Sequence, residues 1–594
     1  MLRSTVVSVR QRIAGVSWLS DLPAMLCWAA LVGVSGAFAT LAFHQGILLV
    51  QTLATGSSGS IVQVTTGLSA VGRLLFPTLG GLVAGLLLVW AARLKAGTAS
   101  DYMEAVAIGD GRLSIRQGLL RSLSSLFTVS SGGSIGREGA MVHMASMAAS
   151  LVGRGAGFST ARLRLLVACG AAAGVAAAYG SPVAGALFVA EIVIGSMSMR
   201  SVGPLLVAAA SSNLTMRAVG SYHTLYPMPG MPAVEPLQVL PFVALGLITG
   251  LAAPFFLKFL DLARKGFKAT RLPLPLRLAA GGFLLGLLLL MLPQVAGNGF
   301  SVVYSLLHTS WTWQAVVFIL VCKVLATALT VGSGAVGGVF TPALFVGAAL
   351  GTLFGMVLQW LVPGMAGPLY LYALVGMGSF LGAATSAPFM AILMIFEMTL
   401  SYQIVLPLML ASVISFFVSR ALAEVSMYNV TEVRERDAML RYRLRHTRID
   451  ELIKSADTVV RPDATIADAL QMFLDYPVRY LYVVDEKNVF LGVVAQQDLT
   501  GLLLSQEDFR DKPVTEVMRV DYLKTLTPGM TLDQAQDHFV SFRGERLPVL
   551  SPGEEPRLLG VVYKSAVLER YSALKRSIDA SADAVLDFST RRVR

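Results

Sequence analysis

The chain has 594 residues, 55% of them hydrophobic and 14% charged, with a mean hydropathy of +0.67. Ordinary soluble domains carry roughly a quarter charged residues, so this composition excludes that class and points to the bilayer. The net charge of +11 fits Lys and Arg gathered in cytoplasmic loops. No basic helix is interleaved with stacking aromatics, which argues against nucleic acid as a partner.

Residues 1–22, with Arg3, Arg10 and Arg12, read as a cytoplasmic N-terminal segment. No small-residue cleavage site follows a short apolar core there, so no removable signal peptide is expected. A membrane domain is expected over 23–430. Its first stretch, 24–50, can cross a hydrocarbon core of about 30 Å. The loop 51–72 has no charged residue and is assigned to the outer face; 73–90 then returns to Arg93 and Lys95 inside. The pieces 119–127 and 388–397 are too short to cross alone. They are punctuated by Gly and Pro, as broken helices aimed at a midplane site would be. The connection 220–236 lacks Lys and Arg and reads as outer; 240–257 then leads to Lys258, Arg264, Lys265, Lys268, Arg271 and Arg277 inside. The last apolar segment, 403–422, runs into Arg434, Arg436, Arg441, Arg443 and Arg445, again cytoplasmic. Cys27, Cys169 and Cys322 sit in apolar stretches with no ligand-like spacing and read as packing residues; no metal site is expected.

Two halves, 23–218 and 238–430, repeat a pattern. Gly170, Pro182 and Glu191 recur at the spacing of Gly376, Pro388 and Glu397, with Gly/Ala-rich sequence between them in both copies. A Gly-rich turn precedes each: GSIGREGA at 133–140 and GAVGGVFTPA at 334–343. The first half begins inside and ends outside, so the copies have opposite orientation. Gly-rich breaks at membrane depth must line a cavity or pack on protein. A helix that begins there turns free N–H groups and a positive dipole end into the cavity, and two such ends make an anion site without a buried cation. Glu138 is the exception in that apolar setting, since a carboxylate at the bilayer centre costs at least about 3 kcal/mol. It either competes with an anion for the helix-end amides or caps the helix beside Arg137.

At these residues the sequence resembles the CLC family of chloride channels and chloride/proton antiporters. GREGA (136–140) is similar to the family's G-(K/R)-E-G-P motif, and GGVFTPALFVG (337–347) to its G-G-x-F-x-P-x-L-x-x-G motif. The resemblance covers about 20–430. It implies an all-α membrane domain of broken, tilted helices, with Glu138 as gate and Gly136, Arg137 and the amides of Val339 and Phe340 at the anion. It also implies that Tyr428, in SMYN, turns its hydroxyl to the ion. The family's first motif, G-S-G-I-P-E, corresponds to GTASDY (97–102), so Thr98 stands where a serine hydroxyl normally serves. Ala140 replaces the proline of the second motif. The antiporters' inner proton-relay glutamate aligns with Ile192, so that position is lost; Glu191 matches the neighbouring family glutamate and reads as a member of a structural ion pair. His143 reads as polar packing rather than a shuttle.

A basic linker, 431–448, leads to an α/β tail. Residues 449–508 and 509–576 each give helix, strand, turn, strand, helix, and resemble a pair of CBS modules; 577–594 is a C-terminal tail. In regulatory pairs of this kind an Asp at the start of the last helix holds ribose hydroxyls of an adenine nucleotide. Asp498 fits that position in the first copy, while Ala566 occupies it in the second. Nucleotide sensing and a structural, dimer-stabilising role both stand at this point.

The reading that results is no enzyme. It is a homodimeric, multi-pass protein of the cell (inner or plasma) membrane with cytoplasmic termini. Chloride passes through one glutamate-gated pathway per subunit, channel-type or weakly coupled to protons. An obligate chloride/proton antiporter is the alternative, and a CBS-regulated divalent-cation channel a third. An intramembrane hydrolase lacks its constellation, there being no H-E-x-x-H.

Overall fold

The computed structural model describes residues 17–94, 99, 101–107, 109–222, 225–228, 239–365, 367–423, 426–428, 440, 443–503, 509–520, 524–540, 542 and 544–591. The chain divides into two compact units, one ending at Thr431 and the other beginning at Glu432.

The first unit is helical. Its first half holds α1 (Ser17–Thr55), α2 (Ile61–Gly67), α3 (Ala70–Arg93), α4 (Tyr102–Ala107), α5 (Ile115–Ser130), α6 (Glu138–Gly155) and α7 (Thr160–Tyr179). Then come α8 (Pro182–Phe188), which widens into a π-turn over Val189–Ile194, and α9 (Met199–Ala218). The second half holds α10 (Leu240–Ala269), α11 (Leu274–Met291), α12 (Phe300–His308), α13 (Trp313–Gly332), α14 (Phe340–Leu361), α15 (Leu369–Thr385), α16 (Pro388–Thr399) and α17 (Val405–Leu422). Among the described residues, eight helices are long and apolar enough to cross a membrane. The first helix begins at Ser17, ahead of the boundary expected at residue 23, because hydropathy marks only the part suited to lipid and not the helical turn before it. The piece expected at 119–127 lies within α5, whose 16 residues still fall short of the roughly 20 needed to span.

The repeat is visible in the backbone. Gly180 and Ser386 both adopt the left-handed conformation, with φ of 67° and 58°, and each turn delivers the chain to a Pro in the first turn of the next helix. There its fixed φ is helical and no N–H is lost. The Gly/Ala-rich helices α7 and α15 are the most deeply packed, since small residues let helices approach where water supplies no driving force. A Cβ on Gly376 would collide with the carbonyl oxygen of Gly347, which is why that contact between α15 and α14 needs glycine.

The second unit contains two small sheets. One runs β1 (Val459–Val460), β2 (Tyr480–Val484), β3 (Phe490–Ala495), with β1 parallel to β2 and β2 antiparallel to β3 in the register Tyr480 to Ala495. The other pairs β4 (Arg546–Leu550) with β5 (Leu558–Tyr563), antiparallel. Helix α18 (Ile466–Asp475) precedes β2, α19 (Gln496–Leu503) follows β3, and α20 (Leu532–Val540) precedes β4. Thr465 caps α18. Its hydroxyl and its amide both donate to Asp468, and these bonds hold that carboxyl below the ordinary carboxylate range. Helix α21 (Lys564–Arg591) runs on through residue 577, where a separate tail was expected to begin.

Candidate functional site

The Gly-rich turn before α6 and the one before α14 are bonded to each other. Gly136 N–H donates to the Gly338 carbonyl at 2.7 Å, and Gly338 N–H donates back to Gly136 at 3.0 Å. Ser134 N–H donates to Thr330 Oγ1 at 3.1 Å and ties the first turn to α13. This bridge fixes the starts of α6 and α14 beside one another. The two helix starts therefore lie side by side, the positions at which a helix has first-turn N–H groups without intrahelical partners. Space is tight here: a Cβ on Gly139 would stand 3.2 Å from the Gly338 nitrogen, and one on Gly136 would displace the Glu138 carboxylate.

Glu138 is 6% exposed. Its Oε1 accepts the backbone N–H of Thr341 at 3.1 Å, in the first turn of α14. The carboxylate thus occupies one of the donors that an anion would use. Its Oε2 is buried without a partner among the described residues. The Thr341 bond is compatible with either role left open by the sequence, competition for amides or capping beside Arg137. Arg137 lines a separate cavity of about 280 Å³, with Thr40, His44 and Tyr222.

Glu138 itself lines a cavity of about 330 Å³. Phe340, Tyr428, Tyr179 and Phe188 form its aromatic wall, with ring centres 5.1 Å apart for Tyr179 and Phe340 and 5.7 Å for Phe188 and Tyr428. Tyr179 bonds through its hydroxyl to Thr341 at 3.0 Å. The short segment bearing Tyr428 is anchored by Met427 N–H donating to the Ala384 carbonyl at 2.9 Å. The polar wall is Asp101, Tyr102, Arg121, Ser122 and His143.

The structure therefore brings Glu138, Phe340 and Tyr428 onto one cavity. Gly136 and Val339 stay in the turns behind it, Gly136 as the bridge and Val339 as the residue preceding α14. Thr98 lies outside the described residues. Ile192 is 1% exposed in the π-turn and off the cavity wall. Sequence reasoning missed Arg121 as a wall residue, although a cation inside the short apolar α5 was a usable flag. Asp101 and Tyr102 were read only as part of the GTASDY segment and given no role.

Glu191 needs a correction. In place of an ion pair, its Oε2 accepts the backbone N–H of Met390 at 2.9 Å, at the start of α16. Glu397 does the same in reverse, its two oxygens accepting Val183 N–H at 3.0 Å and Ala184 N–H at 2.8 Å at the start of α8. Each repeat's glutamate closes the orphan amides of the other repeat's helix, which a spacing pattern in one strand of sequence cannot reveal.

In the second unit Arg519 donates to the Asp498 carboxylate, and the other Asp498 oxygen is buried without a partner. With Ala566 in the second copy, the ribose-binding carboxylate expected from the sequence is already engaged by a guanidinium.

Comparison with known proteins agrees with this geometry. The family model described as "Voltage gated chloride channel" matches residues 80–420. The chain belongs to the CLC family. CBS domain models match 449–505 and 514–573. Among relatives of this CLC protein, a "Putative chloride channel protein ClcB-like" of Ralstonia nicotianae is 50% identical over 422 residues, 70% of this chain and 98% of that one. A "Voltage-gated ClC-type chloride channel ClcB" of Escherichia coli is 40% identical over 406 residues, 67% and 96% of the two chains. The fold is shared with a slow cyanobacterial Cl⁻/H⁺ antiporter (TM-score 0.60, 22% identity, covering 70% of this chain and 97% of that one). It is also shared with a eukaryotic CLC transporter (TM-score 0.59, 17% identity, covering 92% and 98%). A CLC-type fluoride/proton antiporter gives a TM-score of 0.56 at 22% identity, covering 69% and 98%.

Proposed function

We propose that this protein moves chloride across the membrane through a pathway gated by Glu138, channel-type or weakly coupled to protons. The observation that carries this reading is the Glu138 carboxylate held on the Thr341 amide. Protonation removes its charge, weakens that hydrogen bond and leaves the helix-end N–H groups to an anion. A halide then exchanges water for backbone donors that hold it less tightly than an Arg would, which suits passage rather than storage. The relatives named as chloride channels, at 50% and 40% identity, support chloride as the anion. Ile192, buried and off the cavity, supports weak coupling.

An obligate antiporter is the second reading, favoured by Asp101 and His143, two titratable groups on the wall of the cavity that also holds Glu138. We place the protein in the cell membrane as a homodimer with cytoplasmic termini and one pathway per subunit. The adjacent helices α8 and α16 present Val183 and Phe389, 40% and 61% exposed, as an apolar face for such pairing. Liposomes loaded with chloride and placed in low-chloride buffer test the proposal. Anion efflux is expected, with an external pH electrode reporting whether protons move the other way. Purified protein that moves no halide would sink the assignment.

A further inference from the structure

Tyr226 is fully buried, yet its hydroxyl has no hydrogen-bond partner among the described residues. A buried O–H left unmatched costs about 1–3 kcal/mol, so a position that keeps one calls for an account. The side chain is held in place. Its backbone N–H donates to the Met398 carbonyl at 3.1 Å, and its ring stacks on Phe300 with centroids 5.0 Å apart.

Tyr226 borders a small void of about 20 Å³, and Arg137, Glu138, Tyr179, Asn298 and Thr341 share that wall. Arg137 and Tyr179 also line the 280 Å³ cavity. Glu138 and Tyr179 line the 330 Å³ cavity. The small void thus links the two larger spaces, sharing the Glu138 carboxylate with the 330 Å³ cavity and Arg137 with the 280 Å³ cavity, with Tyr226 in the narrow middle. A volume of 20 Å³ holds a water while the carboxylate is in place. A halide is larger and needs the carboxylate to leave.

The inverted repeat supplies an independent reason to look here. Tyr428 follows the last long helix of the second half, α17, and Tyr226 follows the last long helix of the first half, α9. The duplicated architecture therefore sets a tyrosine on each side of the paired helix starts. We propose that the Tyr226 hydroxyl is a second anion contact, donating to a small inorganic anion as it passes Glu138 on the Arg137 side. The inference rests on the chloride reading above. It adds a donor where the pathway is narrowest and the anion has lost most of its water.

The test is Tyr226→Phe, which keeps the ring stack and the backbone bond and removes one O–H. Chloride binding to the purified protein is measured by calorimetry, and chloride flux in liposomes as a function of chloride concentration. A lost hydrogen bond to a charged partner weakens binding about tenfold or more and raises half-saturating chloride by a similar factor. Tyr304→Phe, at an exposed tyrosine stacked on His308, is expected to match the wild type in both measurements. A folded Tyr226→Phe protein with binding and half-saturation within twofold of wild type would overturn the proposal and leave the chloride reading standing. A wild type that moves no halide would overturn both.

Discussion

Replacing Glu138 by Gln keeps the side chain's shape and removes its charge. In the wild type the carboxylate accepts the Thr341 N–H, and a hydrogen bond to a charged group is worth about 1.5–3 kcal/mol against about 0.5–1.5 for a neutral one. The gate's hold on that amide should therefore weaken by about 1–2 kcal/mol, which is roughly 5- to 30-fold in the fraction of time the amide is free for an anion. The sign with pH follows from the chemistry: lowering pH protonates Glu138, frees the amide and raises flux. The amide variant is open at every pH. Chloride efflux from liposomes, compared across a pH series for wild type and Glu138→Gln, checks this. Wild-type flux should climb toward the variant's as pH falls, while the variant's stays flat. Equal rates with the same pH slope in both proteins would refute the gating argument, since they would mean that the carboxylate controls neither.

Ile192→Glu should fail to install proton coupling: the position is 1% exposed and off the cavity wall, so a charge there costs several kcal/mol. Its expected signature is a lower unfolding temperature in detergent with no gain in proton movement per chloride. Glu397→Ala leaves the Val183 and Ala184 N–H groups without their acceptor and should destabilise by about 2–4 kcal/mol. Glu397→Gln, which retains one acceptor oxygen, should cost about half as much; thermal unfolding in the same detergent separates them. Gly376→Ala forces a methyl against the Gly347 carbonyl and should cost about 1–3 kcal/mol by overpacking, read in the same assay.

How much of this was legible beforehand differs from residue to residue. The buried carboxylate was: a glutamate in an apolar run beside a Gly-rich helix start is costly enough to flag itself. The repeat was also legible, because Pro and Glu at matched spacing survive in one dimension. Glu191 was misread, since its partner is a backbone amide of the other half, and backbone donors carry no sequence signal. Arg137 adjoins Glu138 in the chain and shares the small void with it, but also lines a larger cavity that Glu138 does not reach; successive residues at the entry to a helix point in different directions.

By itself the sequence determined that this protein lives in a bilayer, that its membrane part is an inverted duplication, and that Glu138 stands at a helix start. These follow from composition and local spacing, which are properties of the unfolded chain. The tertiary structure decided which groups share a cavity. Only folding brings the Gly136 and Gly338 turns into their two-bond bridge, sets Thr341 against Glu138, and leaves Tyr226 buried with a hydroxyl unmatched among the described residues. The physical reason is the inverted repeat: it closes the site from elements about two hundred residues apart, and helix ends at membrane depth have free donors wherever another half of the molecule supplies the acceptor.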